Sequence, residues 1–283
     1  MSAHFSADWL ALREPADQRA RSERLVRLLN HALPPGRAIA ILDLASGTGS
    51  NARHLASRLA PGHGGRVGQV GQRWLLVDHD SALLDRARAL TPFEVSTRVA
   101  DLSGLEAHAD WLEGHDVITA SALLDLVSHT WLGTLLTCCH ARRAHVLFPL
   151  NYDGRIVCAP SEPEDDWVRD LVNQHQRTDK GFGLALGPDA ARAAAEFLAT
   201  LGYTVECESS DWLLGADDAE LQRQLIDGWA DAASEIASHD GGRIEDWRGR
   251  RQRHVSSRDS RITVGHQDVL GLAPSAGANE HNE

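Results

Sequence analysis

The chain has 283 residues, 42% hydrophobic and 24% charged, with Lys+Arg 28 against Asp+Glu 40 for a net charge of -12. That length suits one large α/β domain with an insertion or a small lid, and the negative balance repels phosphate backbones, arguing against DNA or RNA as substrate. Cys138, Cys139, Cys158 and Cys207 form no CxxC pair, no basic-then-apolar leader opens the chain, and no apolar run approaches membrane-spanning length, so a reduced, soluble, cytoplasmic protein is expected.

From Ser6 to Leu33 the pattern is helical, with Trp9, Leu10 and Leu12, then Leu25, Val26, Leu28 and Leu29 at three-to-four spacing. Pro15 is expected to split this stretch and open its second half. Residues 1–36 read as an N-terminal helical cap whose arginines, Arg13 and Arg21 among them, form either a solvated face or a lid. Next comes the apolar run Ile39-Ala40-Ile41-Leu42-Asp43-Leu44, a loop of small residues from Ala45 to Asn51, and helical spacing from Ala52 to Leu59. Strand, tight turn and helix follow from that order. Gly47 and Gly49 let the backbone approach a ligand and adopt positive φ, and free N–H groups at the helix start face whatever lies there. Gly47-Thr48-Gly49-Ser50-Asn51-Ala52 matches G-x-G-x-x-[G/A], the dinucleotide pattern. Asp43 would repel a pyrophosphate, whereas S-adenosylmethionine brings a cationic sulfonium and ammonium and no phosphate. Charge favours the second cofactor.

A glycine-rich surface loop is expected from Pro61 to Arg73, followed by Trp74-Leu75-Leu76-Val77-Asp78, a buried strand closed by an acid. An acid there suits a ribose, and Asp80 either belongs to the same site or caps the next helix. Phe93 to Leu102 alternates as a third strand ending at Asp101. His115 to Asp125 reads as a fourth strand and helix start, Trp131 to Cys139 as helix, and Ala144 to Leu150 as a fifth strand. Cys138-Cys139-His140 are adjacent and cannot all converge on one ion, so no metal site is expected.

Leu42-Asp43-Leu44-Ala45-Ser46-Gly47-Thr48-Gly49 resembles the first motif of class I S-adenosylmethionine-dependent methyltransferases, acid-x-G-x-G-x-G, with Ala45 at the first glycine. Val77-Asp78-His79-Asp80 with Leu83, Leu84 and Ala87 resembles the second motif, and Asp116-Val117-Ile118 followed by small residues resembles the fourth. By motif the resemblance spans Ala38 to Leu150. It implies a doubly wound, Rossmann-like, seven-stranded and mostly parallel sheet with an antiparallel last strand at its edge. It also implies that Asp43, Ala45, Ser46, Gly47, Thr48, Gly49 and Asn51 hold the cofactor. Asp78 then meets the ribose, Asp101 the adenine and Ser121 the methionine part, with His79 and Leu102 also on the cofactor. Arg13 or Arg21 would grip the carboxylate through a fork-shaped contact.

Segment 151–187 mixes polar types between glycines and is read as a substrate-side lid, the alternative being a solvated connector. Within it the acidic run from Glu162 to Asp166 starts a helix through Trp167 and Val172. Asn151, Tyr152, His175, Arg177 and Lys180 are the candidate acceptor-binding residues, with His175 a conceivable base. Pro188 to Leu201 reads as helix, Tyr203 to Trp212 as a sixth strand, and Asp217 to Ile236 as helix. Arg248, Arg250, Arg251 and Arg253 fall in a charged link, read as solvated surface rather than a nucleic-acid patch. Arg261 to Leu270 is the last strand, antiparallel to the sixth. Residues 37–273 make the catalytic domain and 274–283 a disordered tail. The expected function is an S-adenosylmethionine-dependent methyltransferase for a small-molecule acceptor, O or N unresolved. Its rivals are an NAD(P)-dependent oxidoreductase and a non-catalytic S-adenosylmethionine-binding protein.

Overall fold

The computed structural model describes residues 5–59 and 71–274. Most of the expected glycine-rich loop, and the tail after residue 274, lie outside them. Period-two alternation along the strands builds two faces of one sheet. Leu42, Leu44, Val77, Ile118 and Phe148 point into one apolar cluster, while Ile39, Ile41, Leu76, Val117 and Leu147 point into another.

The chain alternates strand and helix through its first half. In order come α1 (Ala7–Ala20), α2 (Glu23–Ala32), β1 (Ile39–Leu44), α3 (Ser50–Ala56), β2 (Gln72–Asp78), α4 (Ser81–Leu90), β3 (Ser96–Val99), β4 (Val117–Ala120) and α5 (His129–Ala141). The second half contributes β5 (His145–Ala159), α6 (Asp165–Gln176), α7 (Ala190–Thr200), β6 (Thr204–Ser209), β7 (Trp212–Leu214), α8 (Ala219–Ile236), α9 (Gly241–Ser256) and β8 (Arg261–Leu272). The described strands form one 8-stranded sheet in the order β3-β2-β1-β4-β5-β8-β6, with β7 also paired to β8. β1 to β5 run parallel and β8 runs antiparallel to both β5 and β6. This is the doubly wound, Rossmann-like arrangement expected, with two corrections. β8 lies inside the sheet rather than at its edge. The expected sixth strand breaks in two at Ser210 and Asp211, because Asp211 Oδ1 accepts from His266 N (3.1 Å) and its carboxylate is paired with Arg155.

The helices also depart from expectation in places. Pro15 sits inside an unbroken α1, and the break comes at Arg21, whose extended ψ of 140° ends the helix before Ser22 caps α2. The cap therefore divides. α2 buries Leu25, Val26 and Leu29 in the core under β1, and only α1 lies over the carboxyl ends of the strands. The arginine-rich link is α9, with Trp247 and Arg251 buried and Arg250 paired to Glu162 and Glu164. Segment 151–187 divides among several elements. β5 continues through Ala159, α6 buries Val168, Leu171 and Val172 in a third apolar cluster shared with α8 and α9, and a hairpin around residues 179–184 follows.

Asp268 on β8 joins the two halves. Its carboxylate is buried and accepts from Ser22 N and Leu150 N, each at 2.8 Å. The second contact holds Leu150 at φ 62, a left-handed conformation that an apolar residue seldom adopts. An Asp268→Ala variant leaves two buried N–H groups unpaired, at about 1–3 kcal/mol each. Calorimetric melting of that variant is expected about 4–10 °C below wild type. Asp268→Asn, which keeps one acceptor, should lose less.

Candidate active site

β1 ends on Asp43 and Leu44, and the chain then turns through three left-handed residues, Ala45 (φ 50), Gly47 (φ 51) and Gly49 (φ 77). Only the first lacks glycine's freedom, and its side chain is small enough to be held there at about 1–2 kcal/mol. Gly47 N donates to Asp78 Oδ2 (2.8 Å), so the carboxylate at the end of β2 fixes the loop after β1. From above, Leu10 of α1 closes on the loop: a Cβ on Gly47 would lie 3.0 Å from its Cδ1. Arg53 ties the same two parts together, donating Nη1 to Thr48 O and pairing Nη2 with Glu14 at 2.6 Å.

Between α1 and the strand ends lies a cavity of about 520 Å³, within the usual range for small-molecule and cofactor sites. Arg13, Asp43, Ala45, Ser46, Gly47, Thr48 and Asn51 line it, as do Asp78, His79, Asp101, Leu102 and Ser121. The structure thus brings together every expected cofactor residue except Gly49. That glycine turns away toward Ala87 and Thr91 and opens α3. Asp80 is a helix cap, accepting from Ala82 N and Leu83 N. Asp101 lines the cavity and also accepts from Ser103 N at 2.8 Å.

Two charged groups in this wall have unfilled hydrogen-bonding capacity. Asp43 is fully buried and accepts one bond, from Asn51 Nδ2 at 2.8 Å, leaving Oδ2 and Asn51 Oδ1 without partners. Burial pushes the Asp43 carboxyl up to about 7, against the lowering effects of Asn51 and Arg21. Arg21 is 5% exposed, gives Nη2 to Ser121 Oγ (3.0 Å), and has Nε and Nη1 unpartnered. Its guanidinium is likewise held below its ordinary pKa by burial. Arg13, the other candidate fork, is already engaged: it pairs with Asp17 at 3.1 Å and lies over the Trp212 ring at 4.9 Å. Of the two arginines, Arg21 is the one with donors unfilled.

The acceptor-binding expectations fare less well. Asn151 is buried in the sheet, its amide donating to Phe148 O and Gln267 O. Tyr152 gives its hydroxyl to Asn173 Oδ1, under α6. Arg177 pairs outward with Asp189, and His175 turns to Glu235 at 3.1 Å, so neither reaches the cavity and His175 is not placed as a base. Lys180 alone of the five lines it, beside Gly181 and Phe182. Residues not foreseen are Phe5, Leu10, Leu123 and Leu126 in the apolar wall and Asp17 behind Arg13. Asp179-Lys180-Gly181-Phe182-Gly183 held a usable signal, an acid able to clasp two glycine N–H groups in a hairpin tip. Among the described residues no group of three His, Cys, Asp or Glu is placed to hold a metal ion, and no helix is long and apolar enough to cross a membrane.

No family model matches the chain, and no curated protein matches it in sequence. Solved structures overlap it in fold. The cyclopropane synthase MmaA2 from Mycobacterium tuberculosis is 12% identical, with 94% of each chain covered and a TM-score of 0.48. The mycolic acid cyclopropane synthase CmaA1, complexed with S-adenosylhomocysteine, is 12% identical over 96% of this chain and 99% of that one, TM-score 0.48. The Haemonchus contortus phosphoethanolamine N-methyltransferase 2, complexed with S-adenosylmethionine, is 14% identical over 89% of this chain and 52% of that one, TM-score 0.42. Overlap at this level leaves function to be read from the side chains.

The buried Asp43 gives a pH signature. With its folded pKa raised to about 7, the native state keeps a proton that the unfolded chain has released. Native stability therefore falls as pH rises from the ordinary carboxylate range to about 7. Asp43→Asn removes the titration and keeps an acceptor for Asn51. Its melting temperature should exceed wild type at pH 8 by a margin that shrinks toward pH 4.

Proposed function

We propose that the cavity binds S-adenosylmethionine and that the protein transfers its methyl group to a small-molecule acceptor. The observation that carries this reading is a set of buried groups in the cavity wall with bonds unfilled: Asp43 Oδ2 with Asn51 Oδ1 as acceptors, and Arg21 Nε and Nη1 as donors. An α-amino acid offers the matching ammonium and carboxylate. Asp78 at the end of β2 and Asp101 just past β3 suit ribose hydroxyls and an exocyclic amine, since carboxylates accept only. A dinucleotide supports neither pairing, because its pyrophosphate would lie against Asp43 and Asp78.

When bound, the cofactor supplies a methyl group on a sulfonium, which leaves as a neutral thioether. The chain's own part is orientation and exclusion of water. Asp43 and Arg21 fix the amino acid end, Asp78 the ribose, and α1 with the hairpin tip covers both. Holding two reactants in line this way can remove on the order of 7–11 kcal/mol of barrier. The acceptor atom takes the methyl carbon and gives up its proton where it is a hydroxyl or a protonated amine. Methylation at O or N stays open in this proposal, and the cytoplasmic setting expected from cysteine usage belongs to it.

Calorimetric titration tests the cofactor. Wild type should bind S-adenosylhomocysteine and S-adenosylmethionine, not NAD(P)H, and Asp78→Ala should lose both. Arg21→Met should weaken S-adenosylhomocysteine by about 10–100-fold while sparing 5′-methylthioadenosine, which has no carboxylate. Affinity for S-adenosylhomocysteine should rise as pH climbs through about 7, where Asp43 ionises, and that for 5′-methylthioadenosine should not. Binding of NAD(P)H alone sinks the proposal, whereas cofactor binding with no methylated product from an acceptor screen would favour a non-catalytic binding protein.

A further inference from the structure

We infer that the acceptor is a small apolar molecule carrying one carboxylate, and that Lys180 is the residue that recognises it; this rests on the cofactor reading above. Three cationic side chains line the cavity, Arg13, Arg21 and Lys180. Arg13 is neutralised by Asp17, and Arg21 faces the cofactor's amino acid end beside Asp43. Lys180 is the charge left over. Among the described residues no carboxylate lies within 4 Å of its Nζ, whose contacts are the ring nitrogens of His175 at 3.3 and 3.4 Å. That imidazole is itself directed at Glu235. Partial burial lowers the ammonium's pKa, and the charge of Glu235, reached across the His175 ring, offsets this only in part, so an anion in direct contact would favour its position.

The ammonium is held there by a built hairpin. Asp179 Oδ1 accepts from Gly181 N (2.7 Å) and Gly183 N (3.0 Å), and Gly181 takes φ +103, a conformation that L side chains rarely adopt. Asp179 bridges to Leu184, Ala185 to Ser128, and Leu186 N donates to Val127 O at 2.8 Å. The hairpin therefore stands on the segment after β4 that supplies Leu123 and Leu126 to the cavity wall. Phe182 at the tip packs edge-on against Trp131 with ring centroids 5.5 Å apart. Lys180 thus presents a positive charge at the margin of a wall made of Leu10, Leu123, Leu126 and Phe182. An apolar body with one anionic end fills both. A single ammonium is a point charge, which matches one carboxylate in charge and in size. A chain of net charge -12 repels anions at long range, so a local cation is what lets this class of acceptor in.

The test uses the whole chain saturated with S-adenosylhomocysteine. Benzoate, 3-phenylpropionate and octanoate are titrated calorimetrically, each beside its uncharged amide, into wild type, Lys180→Met and Lys180→Arg. Wild type should bind at least one acid about 10-fold or more tighter than its amide. Lys180→Met should erase that preference and Lys180→Arg restore most of it, with affinity for S-adenosylhomocysteine the same in all three. Equal binding of acid and amide by wild type, an undiminished preference in Lys180→Met, or no binding by any of the acids overturns the inference and leaves the cofactor reading standing. Failure of S-adenosylhomocysteine itself to bind wild type overturns the cofactor reading, and this inference with it.

Discussion

Arg21 and Asp43 are buried against the same cavity, and neither has its hydrogen bonds filled. An unpaired buried charge is costly, by several kcal/mol per ion even after relaxation. The structure lowers that penalty only in part: Asn51 gives one bond to the carboxylate, Ser121 takes one from the guanidinium, and burial favours a proton on Asp43. The rest of the penalty is borne by packing elsewhere, which the three apolar clusters of the sheet and its helices provide. Such groups, already desolvated in the cavity wall, need only a small local movement to meet a ligand of opposite pattern, and pre-organisation of that kind lowers the cost of binding.

The placement of both groups follows from the backbone around them. Asp43 lies one residue from the end of β1 because the run from Ile39 to Leu44 is buried throughout, and the turn at Ala45 follows at once. Arg21 faces the cavity because α1 ends there. Ser22 then caps α2 by accepting from Leu25 N, while its own N–H is taken by Asp268 on β8. One carboxylate in the antiparallel strand thus sets where the cap turns, and it also steadies Leu150 at the bulge of β5. The antiparallel strand and the edge of the site are thus tied by the same carboxylate.

Local patterns made part of this legible. Asp43, Asp78 and Asp101 each follow a short apolar or alternating run, so strand ends and acids could be read together from neighbouring residues. What neighbouring residues do not encode is the pairing of β5 with β8, more than a hundred positions apart, in antiparallel register with two bulges. That pairing turns Asn151 and Tyr152 from expected substrate contacts into parts of the sheet and its packing. His175 and Arg177 looked like site residues because their segment is polar, yet both sit at the end of α6, whose amphipathic face docks the helix and leaves them toward surface acids. Pro15 misled for the opposite reason. Tertiary packing of Trp9, Leu12 and Ala16 against the third cluster holds α1 together across a residue that usually ends a helix.

The two helices that flank Arg21 are not equally secured, and this bears on how a cavity closed by α1 admits a ligand. α1 buries fully only Ala16 and Asp17, the latter accepting from Trp212 Nε1 at 3.1 Å, and its outer tie from Arg19 to Asp218 at 2.6 Å is partly solvent-exposed. Exposed pairs of that kind add little, about 0–1 kcal/mol. α2 instead inserts Leu25, Val26 and Leu29 into the core beneath β1. Local opening is least costly where few apolar groups are buried, so the first turns of α1, ahead of the Asp17 anchor, can part from Gly47 more readily than α2 can shift. The residue at their junction is anchored from the α2 side, through Ser22 and Asp268. Opening there would leave the Arg21 backbone where Ser22 and Asp268 hold it.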